Sequence, residues 1–298
     1  MSQIHPTAIV DSTARIAADA TIGPYCIVGV QAEIGSGTVL QHHVCVQPFT
    51  TIGRSNIIHP FAVIGSEPQD RKYHGEKSGC VIGDRNQIRE HVTIHRGTGN
   101  GGGITRIGDD NLLMVGSHVA HDCTIESGVV IANQVMLAGH VRVEEGANIG
   151  GGAGVHHFTT IGTCSFIAGL ARIAKDVPPF MIVEGNPAEV RAVNAIAMAR
   201  RGYPPEHVEA VKDAFRRLYR TNGAAISRKI DPLSREYSHV PAVQRLCLAL
   251  CASAEGVHGR AREVFRHDDK RAAVTVAAPS TRDLAMSHSG RNSGRYDR

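Results

Sequence analysis

At 298 residues, 42% of them apolar, the chain is long enough for a large hydrophobic core and a second, smaller domain. Its formal net charge of +4 is too small to indicate a nucleic-acid-binding protein, and no stretch approaches the ~20 apolar residues of a membrane-spanning helix. The seven cysteines form no C-x-x-C pair and the chain starts without a secretion signal, so we expect reduced, buried thiols in a cytoplasmic protein.

An aliphatic residue recurs at every sixth position from Ile4 to Ile64, again from Ile82 to Ile94, and from Ile107 to Ile173. A period of six fits neither an α-helix nor a single strand, whereas hexapeptide repeats are typical of a parallel β-helix. We call these residues the ladder residues and expect them to point inward, with three repeats to each triangular coil. Glycine directly follows many ladder residues, as at Gly35 and Gly162, where we expect it to let the backbone enter a corner.

Two segments interrupt the repeat, near 65–80 and near 95–106. The first contains SEPQDRKYHGEKSGC and the second HRGTGNGGGIT, and turn-forming residues of this kind predict loops inserted into the coil. The glycine-rich second loop is also a candidate for anion binding, although it lacks the pattern of a nucleotide-binding P-loop.

The composition divides the chain into three parts. We predict a β-helix domain over 1–186, whose ladder ends near Ile173, and a helical domain over 187–256. Its predicted helices span 188–201, from Pro204 to about Asn222, and from about Pro241 to Ala254. Residues 257–298 are polar and aperiodic, which predicts a disordered tail.

Several of the 17 histidines share one phase against the ladder. The corner of each repeat should lie two and three residues after the ladder residue, which places His121, Asp122, His140 and His157 at corners. Positions 121, 139 and 157 differ by one coil of eighteen residues, so they should stack on one edge. His118 and His156 lie beside this edge.

Two chemistries fit this line of imidazoles. One is general base catalysis, for which neutral imidazole is well suited, and the other is a zinc site built from three histidines. The adjacent Asp122 favours catalysis by His121, because a carboxylate orients the ring and stabilises its protonated form. The backbone N–H of Gly139 would then be available to an oxyanion. Cys123 is a weaker candidate nucleophile, since a small apolar filler is the simpler interpretation.

Several motifs in this chain resemble one known family. They are GSEPQDRKYHGE, IREHVTIHRGT, NLLMVGSHVAHDCTI, LAGHV, DVPPFMIVEGNPA and the RRG at 200–202. From about residue 4 to 255 the sequence is similar to bacterial UDP-N-acetylglucosamine O-acyltransferases of lipid A biosynthesis. The resemblance implies a left-handed parallel β-helix followed by a small C-terminal helical domain, assembled as a homotrimer with active sites between subunits. It implies neither a cofactor nor a metal.

The family's reaction moves an (R)-3-hydroxyacyl group from acyl carrier protein to the 3-hydroxyl of UDP-N-acetylglucosamine. By resemblance, His121 is the general base, Asp122 its orienting carboxylate and Gly139 the oxyanion donor. Gly169 matches the position that limits acyl length, and a glycine there predicts a long chain. Residues matched to substrate binding are Gln69, Asp70, Lys72, His118, His140, His156, His157, Asn194, Arg200 and Arg201.

Because acyl carrier proteins are strongly acidic, basic residues on the predicted helices are candidates for docking the carrier. They are Arg191, Arg216, Arg217 and Arg220. Three alternative functions stay open: a zinc-dependent trimeric β-helix enzyme of the carbonic anhydrase type, a purely structural solenoid, and a sister acyltransferase acting on an acylated sugar. The last is expected to carry an additional N-terminal domain, whereas here the repeat starts at Ile4.

Overall fold

The computed structural model of this protein describes residues 3–221, 225–255 and 259–260, all within one compact unit. Most of the predicted tail, 257–298, lies outside the described residues. Successive short strands from Gln3–Ile4 to Arg172–Ile173 belong in turn to three sheets, so along this part of the chain a strand pairs in parallel with the third strand after it. The ladder residues are in register across each sheet, as Ile58 and Ile88 illustrate. We call the three sheets faces A, B and C.

The strands follow the six-residue repeat in all three faces. Face A contains Gln3–Ile4, Thr21–Ile22, Val39–Leu40, Ile57–Ile58, Gln87–Ile88, Leu112–Leu113, Val130–Ile131, Asn148–Ile149, Phe166–Ile167, Met181–Gly185 and Ala188–Val193. Face B contains Ile9–Val10, Ile27–Val28, Cys45–Val46, Val63–Ser66, Thr93–His95, His118–Val119, Met136–Leu137, Gly154–Val155 and Arg172–Ile173. Face C contains Arg15–Ile16, Glu33–Ile34, Thr50–Ile52, Gly79–Ile82, Ile104–Ile107, Thr124–Ile125, Arg142–Val143 and Thr160–Ile161.

The ladder residues form the core, as predicted. From Ile22 to Ile173 every one of them is buried, and only the first coil leaves its ladder residues, such as Ile4, open to solvent. Burying this column of aliphatic side chains on folding contributes roughly 1.5–3 kcal/mol for each residue. The repeat therefore builds a rigid scaffold whose three corners present polar side chains at regular intervals.

The corners lie two and three residues after each ladder residue, as predicted, and the third residue has a left-handed backbone. Asp122 and His140, for example, have φ values of 59° and 61°. The glycines directly after ladder residues have a different role from the one we predicted. A side chain at Gly35 or Gly162 would overlap the backbone of the next coil, so these glycines permit close stacking of the coils.

Both inserted loops leave the coil at the same corner, between face B and face C, which we call the B–C corner. The first loop joins Val63–Ser66 to Gly79–Ile82, and the second joins Thr93–His95 to Ile104–Ile107. The second loop contains a short 3-10 turn, Gly99–Gly101. The loops therefore cover the same corner on which the sequence predicts the histidine cluster, one coil before it.

The C-terminal region differs in part from the prediction. The ladder continues beyond Ile173, because Met181–Gly185 adds a further parallel strand beside Phe166–Ile167. Residues 188–201 are not one helix: Ala188–Val193 pairs antiparallel with Met181–Gly185, and only Ala195–Arg200 is helical. The pairing of Ala188–Val193 with a sheet edge supplies backbone hydrogen bonds that outweigh its helical propensity.

Three further helices lie in the described part of this region. Two match the prediction: Pro205–Phe215, extended by a π-helical turn at Arg216–Arg220, and Pro241–Glu255. The helix Ile226–Glu236 was not predicted, because it contains Pro232 and few apolar residues. Its Ile230 and Leu233 are buried. The boundary between predicted domains 1–186 and 187–256 stays a prediction.

Candidate active site

His121 and Asp122 lie side by side at the B–C corner. Because an ionised carboxylate only accepts hydrogen bonds, the His121 Nδ1–H donates to Asp122 Oδ2, at 2.8 Å. The other ring nitrogen, Nε2, faces outward and lies 3.9 Å from Asp70 Oδ2 in the first inserted loop. The His121 side chain is 14% exposed and that of Asp122 is fully buried. This arrangement leaves an unprotonated Nε2 that can accept a proton.

The glycine-rich second loop holds the Asp122 carboxylate. Thr98 donates its backbone N–H to Oδ1 at 2.9 Å and its hydroxyl to Oδ2 at 2.6 Å. Although burial alone would raise the pKa of Asp122, the hydrogen bonds from His121 and Thr98 hold it below its usual value. We predicted an anion-binding loop, and the anion that it binds in the structure is this carboxylate.

Two further histidines lie beside the pair in a drier environment. The His118 ring meets the His95 ring edge-on at 4.9 Å, and the Thr93 hydroxyl lies 2.8 Å from His118 Nδ1. Burial lowers the pKa of His95 to about 4, with a smaller effect from neighbouring His118 and His121, and burial also lowers the pKa of His118. Both rings are therefore neutral at pH 7 and contribute shape and hydrogen bonding to the site.

Gly139 lies on the next coil, directly over the His121 ring. A Cβ at this position would be 2.6 Å from the ring, so a glycine is required for the ring to occupy its place. Among the described residues, the Gly139 N–H has no backbone acceptor. His140 meets His121 edge-on at 5.1 Å and stacks on Phe158 at 4.3 Å, which confirms the predicted stacking of this edge.

A cavity of about 580 Å³ lies on face B next to these rings. Most of its lining is apolar, and its polar lining residues are Gln69, His118, His156 and Arg172. His157 lies beside His156, with ring centroids 3.9 Å apart. The apolar lining consists of Ala120, Met136, Leu137, Ala138, Val155 and Ile173. A groove of this kind suits a flexible hydrocarbon chain whose polar end meets the histidines.

The remaining predicted site residues lie elsewhere in the chain. Asn194, Arg200 and Arg201 line a separate cavity of about 460 Å³. Arg201 donates to Gly128 O, at the corner between faces C and A, so this group does not meet His121 within one chain. Gly169 is exposed at the corner between faces A and B. In the first loop, the Lys72 N–H donates to Asp70 Oδ1 at 3.0 Å.

Two alternative chemistries find less support in the geometry. Cys123 is fully buried and burial raises its pKa to about 12, so its thiol is an inert core group rather than a nucleophile. His121, Asp122 and His140 form a group that could contact one metal ion. However, Asp122 Oδ2 already accepts hydrogen bonds from both His121 and Thr98, and the group offers two imidazoles rather than three.

Comparison with known proteins identifies the family. The family model described as "Udp N-acetylglucosamine O-acyltransferase; Domain 2" matches residues 176–258, and that of the bacterial transferase hexapeptide matches 104–139. The chain is 44% identical to the UDP-N-acetylglucosamine O-acyltransferase of Moraxella catarrhalis, over 84% of this chain and 97% of that one, with a TM-score of 0.81.

The chain belongs to the UDP-N-acetylglucosamine O-acyltransferase family. A structure of the corresponding Acinetobacter baumannii protein is 42% identical over 85% of this chain and 96% of that one, with a TM-score of 0.80. The UDP-N-acetylglucosamine acyltransferase of Francisella novicida is 36% identical over 82% and 89%, with a TM-score of 0.78. The predicted fold class, a left-handed parallel β-helix followed by a helical region, and the predicted O-acyltransferase activity are thereby confirmed. None of the described helices is both long and apolar enough to cross a bilayer.

Our sequence reasoning missed part of the site of this acyltransferase. Thr98 and Thr105 both contact Asp122, since the Asp122 N–H donates to Thr105 Oγ1 at 2.8 Å. His95, buried behind His118, was missed as well. The HRGTGNGGGIT segment contained the available signal, because its register puts it at the B–C corner one coil before His121.

Proposed function

We propose that the protein transfers an (R)-3-hydroxyacyl group from acyl carrier protein to the 3-hydroxyl of UDP-N-acetylglucosamine, the first step of lipid A biosynthesis. Family membership supports the reaction class. The observation that carries the mechanism is the buried hydrogen bond from His121 to Asp122, which leaves Nε2 as a base.

In the proposed mechanism, His121 Nε2 takes the proton of the sugar 3-hydroxyl as its oxygen attacks the thioester carbonyl. The ester C–O bond forms, and the Gly139 N–H donates to the developing oxyanion. Collapse of this intermediate breaks the C–S bond, and the departing thiolate of the carrier takes the proton from the His121 imidazolium. Asp122 stabilises that imidazolium and stays ionised. A positioned base of this kind accounts for roughly 10²- to 10⁴-fold in rate.

Substrate binding follows from the same geometry. We assign the apolar cavity on face B to the acyl chain, with His118 and His156 at its polar end. Asp70 lies 3.9 Å from His121 Nε2, which suits an acceptor for a sugar hydroxyl, and Lys72 beside it suits a phosphate. The neighbouring Gln69, His140 and His157 are proposed to contact the same substrate. Asn194, Arg200 and Arg201 are proposed to bind the nucleotide.

The separation of these groups supports a homotrimer with sites between subunits. His121 lies at the B–C corner, whereas Arg201 lies at the C–A corner, so one chain does not complete the proposed site by itself. Mixed trimers test this: co-refolding inactive His121→Ala chains with inactive Arg200→Ala chains should restore part of the activity. Failure of the mixture to regain activity, with mixed assembly verified, would contradict shared sites.

Acyl carrier protein is the proposed donor, and the four arginines named above are less free to bind it than the sequence suggested. Arg191 also lies on the strand Ala188–Val193 rather than on a helix. Arg191 pairs with Glu184 and Glu189, and Arg217 pairs with Glu236 and Asp213. Arg216 also pairs with Asp213, at 3.1 Å, but its side chain is 62% exposed, so it and the exposed Arg220 remain the candidates. Charge reversal at Arg216 should weaken donor binding and its dependence on salt. All seven cysteines are free, which supports the proposed cytoplasmic location.

The experiment that tests the proposal incubates the protein with a 3-hydroxyacyl carrier-protein thioester and UDP-N-acetylglucosamine. We expect a 3-O-acyl ester from the native protein and nearly none from His121→Ala at equal folded concentration. Turnover that survives the substitution would remove His121 as the base. Absence of product from folded native protein, together with stoichiometric zinc by metal analysis, would favour the zinc enzyme instead.

A further inference from the structure

The second inserted loop places one buried threonine against the carboxylate of the dyad. Thr98 is 4% exposed, and its hydroxyl donates to Asp122 Oδ2, the same oxygen that receives the His121 Nδ1–H. Its N–H donates to the other oxygen, Oδ1. The carboxylate is therefore held at both oxygens by a single residue of the loop.

The loop is shaped to bring Thr98 to this position. Its N–H groups at Gly101 and Gly103 both donate to the Thr98 carbonyl, and the Gly99 N–H donates to Glu76 Oε1 in the first loop. A side chain at Gly101 would overlap the Asp122 carboxylate, so the glycine allows the backbone to cover it. The Asp122 side chain is fully buried, and no water can replace the Thr98 hydroxyl without displacing the loop.

We propose that Thr98 is a positioning residue for the acyl transfer: its hydroxyl fixes Asp122 so that Oδ2 aligns the His121 ring and holds its Nδ1 proton. This inference rests on the proposed function of His121 as the base. Thr98 is not among the residues that line the cavity on face B, and its hydrogen bonds reach the dyad through Asp122. The glycine-rich loop is then a support for the dyad rather than a binding site for a phosphate.

The chain contains a matched control. Thr163, which is 2% exposed, also donates both its N–H and its hydroxyl to a carboxylate, Glu144 Oε2, at 3.0 and 2.8 Å. This second pair lies at the C–A corner of the same chain, and neither Thr163 nor Glu144 lines the cavity that contains Asn194, Arg200 and Arg201. Thr163→Val therefore removes the same kind of hydrogen bond from the same scaffold without touching the dyad.

The test measures kcat, KM for UDP-N-acetylglucosamine and the pH dependence of kcat/KM in the native trimer and in three variants. For Thr98→Val we expect kcat to fall ~10- to 100-fold, as the loss of a hydrogen bond to a buried charge predicts, with KM changed less than ~3-fold. Asp122 should then gain a proton more easily, so the acidic limb of the kcat/KM profile should move to higher pH. Thr98→Ser, which keeps the hydroxyl, and Thr163→Val should both stay within ~3-fold of the native kcat.

Three results would overturn the positioning role: a native kcat and pH profile in Thr98→Val, equal losses in Thr98→Val and Thr163→Val, or a Thr98→Ser variant as slow as Thr98→Val. A second readout does not depend on turnover. The Nδ1–H resonance of His121, assigned by its absence in His121→Ala, should be sharp in native protein and Thr98→Ser and lost in Thr98→Val. If native protein transfers no acyl group while this resonance responds as expected, the proposed function fails, whereas the alignment of His121 and Asp122 by Thr98 stands.

Discussion

Histidine and aromatic rings from successive coils follow one another along two corners of the β-helix, at similar spacing. At the corner between faces A and B, Tyr25, His43, Phe61 and His91 follow one another with ring centroids 4.9 to 5.1 Å apart. At the B–C corner, His140 stacks on Phe158 at 4.3 Å and meets His121 edge-on at 5.1 Å. All of these rings except that of His121, which lies one residue earlier, occupy the left-handed corner position of their coil. The repeat by itself therefore places rings on either edge.

The two corners differ in the surroundings of their rings. Tyr25 and Phe61 are 58% and 46% exposed, whereas the side chain of His121 is 14% exposed. Among the described residues, only the B–C corner carries the two inserted loops, and only there does a buried carboxylate, Asp122, accept a hydrogen bond from a ring. The comparison teaches that the scaffold sets the spacing, while the loops provide the burial and charge that make a base.

The largest effect should come from Asp122→Asn. Asparagine tolerates the left-handed backbone at this corner, so the variant should fold, but its amide no longer fixes the His121 tautomer. We expect kcat to fall about 10²- to 10⁴-fold at nearly unchanged stability, measured by acyl transfer and by thermal unfolding. Near-native turnover in a folded Asp122→Asn variant would mean that the Asp122 carboxylate is not what makes the B–C corner catalytic.

Gly139→Ala should have the next largest effect, because the new methyl group would meet the His121 ring at 2.6 Å while the backbone N–H is kept. We expect about a 10- to 100-fold loss of kcat. The control is the double variant with His121→Ala, in which there is no ring to displace. Gly139→Ala should reduce the residual activity of His121→Ala only slightly. An equal loss in native protein and in His121→Ala would assign the effect to the oxyanion site instead.

A stability measurement should also separate the two edges. Burial lowers the pKa of His95 from 6.5 to about 4, so between these pH values the unfolded chain binds a proton that the folded chain does not. The contribution of His95 to the free energy of unfolding should therefore be fully present above pH 6.5 and decrease as the pH drops. Between pH 7 and pH 5 the decrease should be about 2 kcal/mol. Denaturant unfolding of His95→Gln should show a shallower dependence than native protein. His43→Gln, on the exposed edge, should keep the native slope, and identical slopes in all three proteins would refute this account.

The smallest expected effect concerns Gly169, which is exposed at the far corner of face B from His121. A Cβ there would lie 3.3 Å from Gly151 O, so a larger side chain must extend away from the backbone. We expect Gly169→Met to shift the preference from long toward short hydroxyacyl donors by about tenfold. Competition between a short and a long donor measures this preference. An unchanged preference would mean that residue 169 does not limit the acyl length.

Periodicity made the β-helix and its corners predictable, because each rung repeats one local solution to burying an aliphatic side chain. The same phase argument correctly stacked His121 under Gly139 and His140. The phase argument failed for contacts that do not follow the six-residue repeat. Thr98 reaches Asp122 through a loop of irregular backbone, and Ala188–Val193 is a strand because a sheet edge is available to it, which local propensity does not reveal.

The most direct test of the account compares the two edges in one experiment, through single-turnover acyl transfer by His121→Gln and His43→Gln variants of verified fold. Both substitutions remove one corner imidazole and keep a polar side chain. We expect His43→Gln to react within ~3-fold of the native rate and His121→Gln to be at least ~10²-fold slower. Comparable rates in the two variants would contradict the claim that burial and Asp122 turn one of two similar edges into a catalytic base.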